Sequence, residues 1–360
     1  MYTRKTKGCK MANIQSQYFK DIDISDVFFD SLKKDYSEFN SWFCKKATEN
    51  EHAFTLYENS KLMAFLYLKI ENEIDEAIAP KFEEKRRLKV GTFKIDAHGT
   101  KLGERFVKKI LDVAVVKKID EIYVTIFDKH QPLINLLKTF GFSEYGTKTT
   151  SNGKELVLLK NLFNLKNDIL KDYPVVQTEC KDIYGLSIRP EFHTKLFSDS
   201  ILKNESVDIL KDVSHTNSIH KIYICAMKGV QNFKHGDILL IYRTSDGQGA
   251  ARYRSVLTSI CVVEEVLNIN NFDSEDKFLK YCEPYSIFSV DELRRFYRTK
   301  KYPSIIKMTY NAAFKKRVTN GQLIDEFRIT PEYWGIFSVT YEQFKKIIRA
   351  GEVDESIIID

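Results

Sequence analysis

The sequence predicts an α/β (α+β) chain in two parts, a mixed sheet with flanking helices followed by a small, partly closed β-barrel. Three observations carry this expectation. The chain has 360 residues, which suits two domains of roughly 100–200 residues each. Strand-like and helix-like segments alternate over residues 14–160. Past residue 218 the apolar runs become strand-like and are punctuated by turn residues.

Each element has a local reason. Asp23 and Ser25 are capping candidates ahead of Phe28–Thr48, where Phe28, Phe29, Leu32, Tyr36, Phe39 and Phe43 recur with helical spacing after a short first strand. His52–Tyr57 and Leu62–Ile70 read as strands joined by the polar turn Glu58-Asn59-Ser60-Lys61, a hairpin. Leu88–Ile95 is a third such run. It leads through the glycine-containing segment His98–Gly103 into Glu104–Val116, where Phe106, Ile110, Leu111 and Val115 lie near helical spacing. Glu121–Phe127 is a strand, and Gln131–Thr139 is a helix with Pro132 in its first turn. Lys154–Leu159 is a last strand after Ser151-Asn152-Gly153, so the order is β-α-β-β-β-α-β-α-β.

Residues 161–217 hold Asn, Asp and Ser clusters with little periodicity and read as a connector. Ile188-Arg189-Pro190-Glu191-Phe192-His193 and Leu196-Phe197 are too apolar for a free linker, so the connector is expected to dock. The second domain, 218–350, starts with strands Lys221–Met227 and Asp237–Arg243. The turn Asp246-Gly247-Gln248-Gly249 leads into Arg252–Val266, one long or bulged strand. Helical stretches near Phe278–Tyr281 and Val290–Thr299, strands Ser304–Tyr310 and Tyr333–Val339, and helix Tyr341–Ala350 complete it. An acidic tail, 351–360, closes the chain.

Composition narrows the function classes. With 43% apolar, 13% aromatic and 29% charged residues, the chain is neither collagenous nor a disordered scaffold. No run approaches the roughly 18 apolar residues of a membrane helix, so no membrane association is expected and the protein is read as cytoplasmic. The net charge of +6 is concentrated: Arg4, Lys5, Lys7 and Lys10 supply most of it within residues 1–13, read as a disordered basic tail. That tail lacks the apolar core of a secretory signal, and Met11 is an alternative start. Cys9, Cys44, Cys180, Cys225, Cys261 and Cys282 lie far apart without ligand spacing, so they read as reduced thiols, and no metal is expected.

The segment His98-Gly99-Thr100-Lys101-Leu102-Gly103 joins a strand to a helix N-terminus. Backbone N–H groups there, with glycines allowing close approach, form a cradle for phosphate. A strand, a helix and Phe140-Gly141-Phe142 follow. In these features residues 14–160 resemble the GNAT superfamily of acetyl-CoA-dependent N-acetyltransferases. The resemblance implies acetyl-CoA as cofactor, its pantetheine on a splayed strand ending in Phe93-Lys94-Ile95 and its pyrophosphate on His98, Gly99, Thr100, Lys101, Leu102 and Gly103. Three departures stand out. His98 replaces the family's leading Arg and Lys101 its middle Gly. His130 aligns with the Asn that usually opens the later helix. Leu137 aligns with the Tyr that often protonates the leaving thiolate, and leucine has no proton to give. The catalytic residues stay open; by type Glu84, Asp96, Tyr123, Asp128, His130 and Tyr145 are candidates for the base.

From Leu293 to Arg317 there are nine basic residues and no Asp or Glu, with Phe296, Tyr297, Tyr302, Tyr310 and Phe314 interleaved. Such composition suits RNA or single-stranded nucleic acid, since cations meet phosphates while aromatic faces stack on bases. Arg294, Arg295, Arg298, Lys301 and Lys307 are the candidates here, with Arg252 and Arg254 beside the Asp246–Gly249 turn. The segment Lys234-His235-Gly236-Asp237-Ile238, with Arg252–Thr258 and Val262-Val263-Glu264-Glu265-Val266, resembles the PUA-like superfamily, especially ASCH and EVE-type barrels. Members commonly bind RNA or modified bases. The combined expectation is an N-acetyltransferase that recruits RNA, such as tRNA, or an RNA-associated protein. The alternatives are a nucleic-acid binding protein whose first half only binds acetyl-CoA or serves as scaffold, and an acetyltransferase acting on proteins or small amines without nucleic acid.

Overall fold

The computed structural model describes residues 14–73, 75–96, 101–197 and 218–360. The basic tail, His98, Gly99 and Thr100 lie outside the described residues.

The first part begins with β1 (Gln15–Tyr18), α1 (Asp30–Asp35) and α2 (Phe39–Thr48), so Phe28–Thr48 is broken where Tyr36 turns to an extended conformation. The strands β2 (His52–Glu58), β3 (Lys61–Glu71), β4 (Ile78–Ala79) and β5 (Arg87–Ile95) follow. Then come α3 (Leu102–Val116), β6 (Glu121–Ile126), α4 (Gln131–Thr139), β7 (Ser143–Thr150) and β8 (Gly153–Asn161). They form one mixed sheet in the order β1-β2-β3-β5-β6-β8-β7-β4. β7 escaped the sequence reading because Ser143–Thr150 is mostly polar and only half buried.

Strand alternation assigns the two faces. Leu88, Val90, Ile122 and Val124 pack with Phe106, Ile110 and Leu137 of α3 and α4. Phe65 and Tyr67 turn the other way into an aromatic cluster with Phe19, Phe29, Phe39 and Phe43 beneath α2. Both helices bury an apolar stripe on the sheet, the arrangement that periodicity of 3.6 requires.

The second part starts earlier than residue 218. β9 (Val176–Gln177), β10 (Ile183–Ile188) and α5 (Pro190–Leu196) arise within the segment read as a connector. β10 lies inside the second sheet, parallel to β12 (Ile238–Arg243) on one side and antiparallel to β15 (Ile336–Ser338) on the other. Its six residues include Gly185 and Ser187, so the strand is too short and too interrupted to stand out by period. The sheet runs β11-β14-β13-β12-β10-β15, with β11 (His220–Cys225), β13 (Val256–Asn268) and β14 (Ser304–Thr319). Bulges interrupt the β13–β14 pairing at three places, which bends a long ribbon. Arg252 and Arg254 belong to a short helix, α6 (Ala251–Arg254), rather than to the strand. The helices α7 (Glu275–Cys282), α8 (Val290–Thr299), α9 (Asn320–Asp325) and α10 (Tyr341–Ala350) flank the sheet. In the acidic tail, β16 (Ile358–Ile359) pairs with β9.

The two parts share buried contacts. Ile219 and Tyr173 sit in the core of the first part, and the Tyr173 hydroxyl donates to the Tyr310 carbonyl at 2.8 Å.

Candidate functional site

β5 and β6 pair in parallel only from Arg87↔Glu121 to Val90↔Val124. Beyond that they part, although β5 runs on to Ile95 and β6 to Ile126. The cause is a bulge: Tyr67 faces Thr92 and Leu68 faces Val90, which leaves Gly91 as the extra residue. A Cβ on Gly91 would lie 2.8 Å from the Tyr67 ring, so glycine lets the bulge close against β3. The parting opens a cavity of 1030 Å³ that reaches both faces of the sheet.

On the face of α3 and α4 the wall is largely apolar: Phe93, Ile95, Ile126, Leu133 and Leu136. At its end stand Lys101, Glu104, His220 and Tyr285, the last two from the second part. Lys101 caps α3, and its ammonium donates to the Tyr285 hydroxyl at 2.7 Å. That hydroxyl donates to Glu104 at 3.1 Å, and the His220 N–H donates to the other Glu104 oxygen at 2.9 Å. The His220 ring lies 2.5 Å from Glu264, which also pairs with Lys307 at 3.0 Å. Burial opposes the charge on Glu264, but the His220 hydrogen bond and the pairing with Lys307 outweigh it and hold the carboxyl below its usual range.

On the opposite face the wall is polar and aromatic. Tyr36, Phe39, Trp42 and Tyr67 line it with Glu38, Glu71, Lys89, Thr125, Lys148 and Glu155. The Tyr123 hydroxyl donates to Glu71, which also meets Lys69 at 3.0 Å and Lys89 at 3.4 Å. Burial opposes charge on Glu71, yet these donors keep it below the ordinary carboxylate range. Burial also lowers Lys89, against the pull of Glu71. The Tyr36 hydroxyl donates to Glu155 at 2.7 Å, and burial first, then that carboxylate, pushes its pKa up.

Of the sequence-predicted cofactor residues, Phe93, Ile95, Lys101, Gly103 and His130 line the cavity. Leu102 is instead a core residue, 5% exposed. Gly103 serves packing: a Cβ there would meet the Leu136 side chain at 2.6 Å. His130 opens α4, exposed, 3.3 Å from Asp35. Leu137 faces the core rather than the cavity. Among the type-based candidates for a base, Glu84 is exposed away from the cavity, Asp96 pairs with Lys61, Asp128 accepts from Gln131, and Tyr145 donates to the Lys81 carbonyl.

The nucleic-acid candidates fall into separate groups. Arg252 pairs with Asp325 and Arg254 with Asp246 beside the Val256–Thr319 end of the ribbon. Arg294, Arg295 and Arg298 lie on α8, which leads into the Ser304 end. The sixteen residues of β14 separate these ends by up to about 50 Å. Arg294 and Arg298 both pair with Glu275, at 3.5 and 3.2 Å, and Lys307 is held by Glu264. The acid-free run thus borrows its counter-charges from α7, β13 and the first turn of α8, where Asp291 lies 3.5 Å from Arg294. Arg295 and Lys301 are exposed and make no ion pair among the described residues.

Sequence reasoning missed Glu104, His220, Tyr285, Tyr36 and Glu155. An acid in a first helical turn is ordinary, so nothing marked Glu104. Glu155 could have been found, because it shares a strand face with Val157 and Leu159.

No protein-family model matches the chain, and no curated protein matches it. Several solved structures resemble parts of it. An N-acetyltransferase from Staphylococcus aureus Mu50 aligns at 15% identity and a TM-score of 0.33, over 42% of this chain and 99% of that one. Arabidopsis thaliana Naa50, in complex with a CoA-based bisubstrate analogue, aligns at 16% identity and a TM-score of 0.28, over 41% and 98%. ASCH from Zymomonas mobilis aligns at 9% identity and a TM-score of 0.30, over 46% and 94%. Each match spans less than half of this chain. Among the described residues no helix is long and apolar enough to cross a membrane, and no group of His, Cys, Asp or Glu is placed to hold a metal ion.

Proposed function

We propose that the chain is an acetyl-CoA-dependent N-acetyltransferase whose second, PUA-like (ASCH/EVE-type) part recruits an RNA or RNA-associated substrate. One observation carries the reading: β5 leaves β6 at the Gly91 bulge, opening a passage through the sheet to both faces. The residues present fit the cofactor. The β6-facing edge of β5 has lost its strand partner from Gly91 to Ile95, and its backbone groups are available to an extended, amide-containing ligand. A cavity of 1030 Å³ is ample for a large ligand.

Bound there, acetyl-CoA supplies an acetyl group activated as a thioester. N–H groups at the bulge are suited to polarise its carbonyl. Phe93, Leu133 and Leu136 exclude water from the donor side, and the Lys101 ammonium, steadied by Tyr285, favours phosphate. The acceptor amine enters from the polar face opposite α3 and α4. Two faces of one opening then keep donor and acceptor apart until they meet at the parted strands.

Thermal denaturation with acetyl-CoA tests the cofactor. Saturating ligand raises Tm, and Leu133→Trp, which fills the passage, removes the rise; an unchanged wild-type Tm overturns the reading. Labelled acetyl-CoA incubated with the full chain and cell extract then reports the acceptor. Label in RNA or ribosome-associated protein supports recruitment. A second reading, acetylation of proteins or small amines without nucleic acid, is favoured by the internal pairing of Arg252, Arg254, Arg294, Arg298 and Lys307.

A further inference from the structure

The carboxylates of the cavity differ in how they are compensated. Asp35 pairs with Lys129 at 2.5 Å, and Glu71 with Lys69 and Lys89. Glu38 is exposed and held by the Asn152 amide at 2.8 and 2.9 Å. Glu104 accepts from the His220 N–H and from a hydroxyl that itself accepts from Lys101. Glu155 is different. It is 4% exposed, makes no ion pair among the described residues, and accepts a hydrogen bond from Tyr36. Its cross-strand neighbour Lys148 turns instead to Asp75, at 2.6 Å.

A buried carboxylate with no ion-pair partner is costly, and a site lined by one is suited to meet a cation. Glu155 precedes Leu156, which pairs with Ile126 at the end of β6. It shares a sheet face with Val157 and, across the pairing, Thr125, so it lies opposite α3 and α4 and lines the same cavity as Gly91. The Tyr36 hydroxyl fixes one carboxylate oxygen and leaves the other to a ligand.

Resting on the acetyltransferase reading, we propose that Glu155 is the catalytic base and binds a primary amine that arrives as its ammonium ion. Tyr36, Phe39 and Trp42 supply an aromatic wall for the carbon skeleton of that amine. In the reaction, Glu155 takes one proton from the ammonium ion and passes it to solvent, and takes a second from the nitrogen once the nitrogen is bonded to the acetyl carbon. The nitrogen lone pair forms the new N–C bond as the C–S bond breaks. The thiolate leaves with the electron pair and takes its proton from water, and Glu155 returns its own proton to solvent. Tyr36 is a positioning residue that holds the carboxylate.

The test uses the full chain with phenethylamine and spermidine as probes, in two arms. Calorimetric titration of each amine, without acetyl-CoA, reads binding; thiol release from acetyl-CoA reads transfer. Glu155→Gln is expected to weaken amine binding at least tenfold and to cut transfer by about 10²–10⁴-fold, with acetyl-CoA binding unchanged. Tyr36→Phe should lower transfer less, while leaving acetyl-CoA binding intact. Glu155→Gln should fold at least as stably as the parent, since it removes a buried charge; a stability loss with normal amine binding would mark a structural carboxylate and overturn the proposal. Amines that bind equally to parent and variant, or to neither, also overturn it. Glu155-dependent amine binding without any affinity for acetyl-CoA overturns the acetyltransferase reading and leaves the amine site standing.

Discussion

Glu104 and His220, separated by 116 positions in the chain, meet through a 2.9 Å hydrogen bond from the His220 N–H to the Glu104 carboxylate. Both line the cavity, and both are at least nine-tenths buried. The first turn of α3 is therefore anchored by the second part of the chain.

Glu104→Ala leaves the His220 N–H and the Tyr285 hydroxyl without their acceptor. A buried donor stripped of a charged partner costs about 2–3 kcal/mol. Urea denaturation should show that loss, and acetyl-CoA affinity should fall with it, because Lys101 loses its support.

Gly185 faces Phe337 across the β10–β15 pairing, and a Cβ there would lie 2.0 Å from the ring. Gly185→Ala must displace Phe337 from the core of the second part. A destabilisation of about 1–3 kcal/mol follows, measurable as a lowered denaturation midpoint, with the cavity of the first part unaffected.

Lys160 is 2% exposed, and burial lowers its pKa to about 8 from the usual 10.5, Asp172 opposing the shift. Because the folded pKa is depressed, the unfolded chain binds more protons between these values, and stability rises with pH from about 8 towards 10. The full shift corresponds to about 3 kcal/mol as an upper bound. Lys160→Met should flatten that rise in denaturation curves recorded at pH 7, 8, 9 and 10.

Glu275 holds Arg294 and Arg298. If α8 contacts RNA, Glu275→Gln releases Arg298 and leaves Arg294 to Asp291, and should strengthen binding to bulk tRNA at low salt and steepen its salt dependence. Replacing Arg294, Arg295 and Arg298 by Glu should do the reverse. Unchanged affinity in both variants removes α8 from any nucleic-acid surface.

Periodicity exposed the helices α3, α4, α8 and α10 and the hairpin β2–β3, since each is long and half buried. It passed over β7, whose side chains are polar, and β10, whose six residues are flanked by irregular chain. The splayed end of β5 came only with the family resemblance, which placed Lys101 beside the pyrophosphate; neither the position of Lys101 at the N-cap of α3 nor the role of Gly103 was legible. Its space is filled by Leu136, a contact between helices that no local motif encodes. The same holds for Tyr285 and His220, which reach the cavity only through tertiary docking. Charge patterning was incomplete for a related reason: the run from Leu293 to Arg317 is free of acids in sequence and meets Glu264 and Glu275 in space.

The place of β10 within the second sheet sets where this chain can be divided. A fragment beginning at residue 218 would lack an interior strand and bare the edge of β12, whose Ile238–Tyr242 are fully buried in the intact fold. Such an edge invites pairing between copies. A cut that respects the sheet must instead fall before Ile183, and even there it would sever the Tyr173 anchor to Tyr310. Shuffling of these two units between proteins, in the laboratory or in evolution, would have to carry the intervening segment along as cargo of the second.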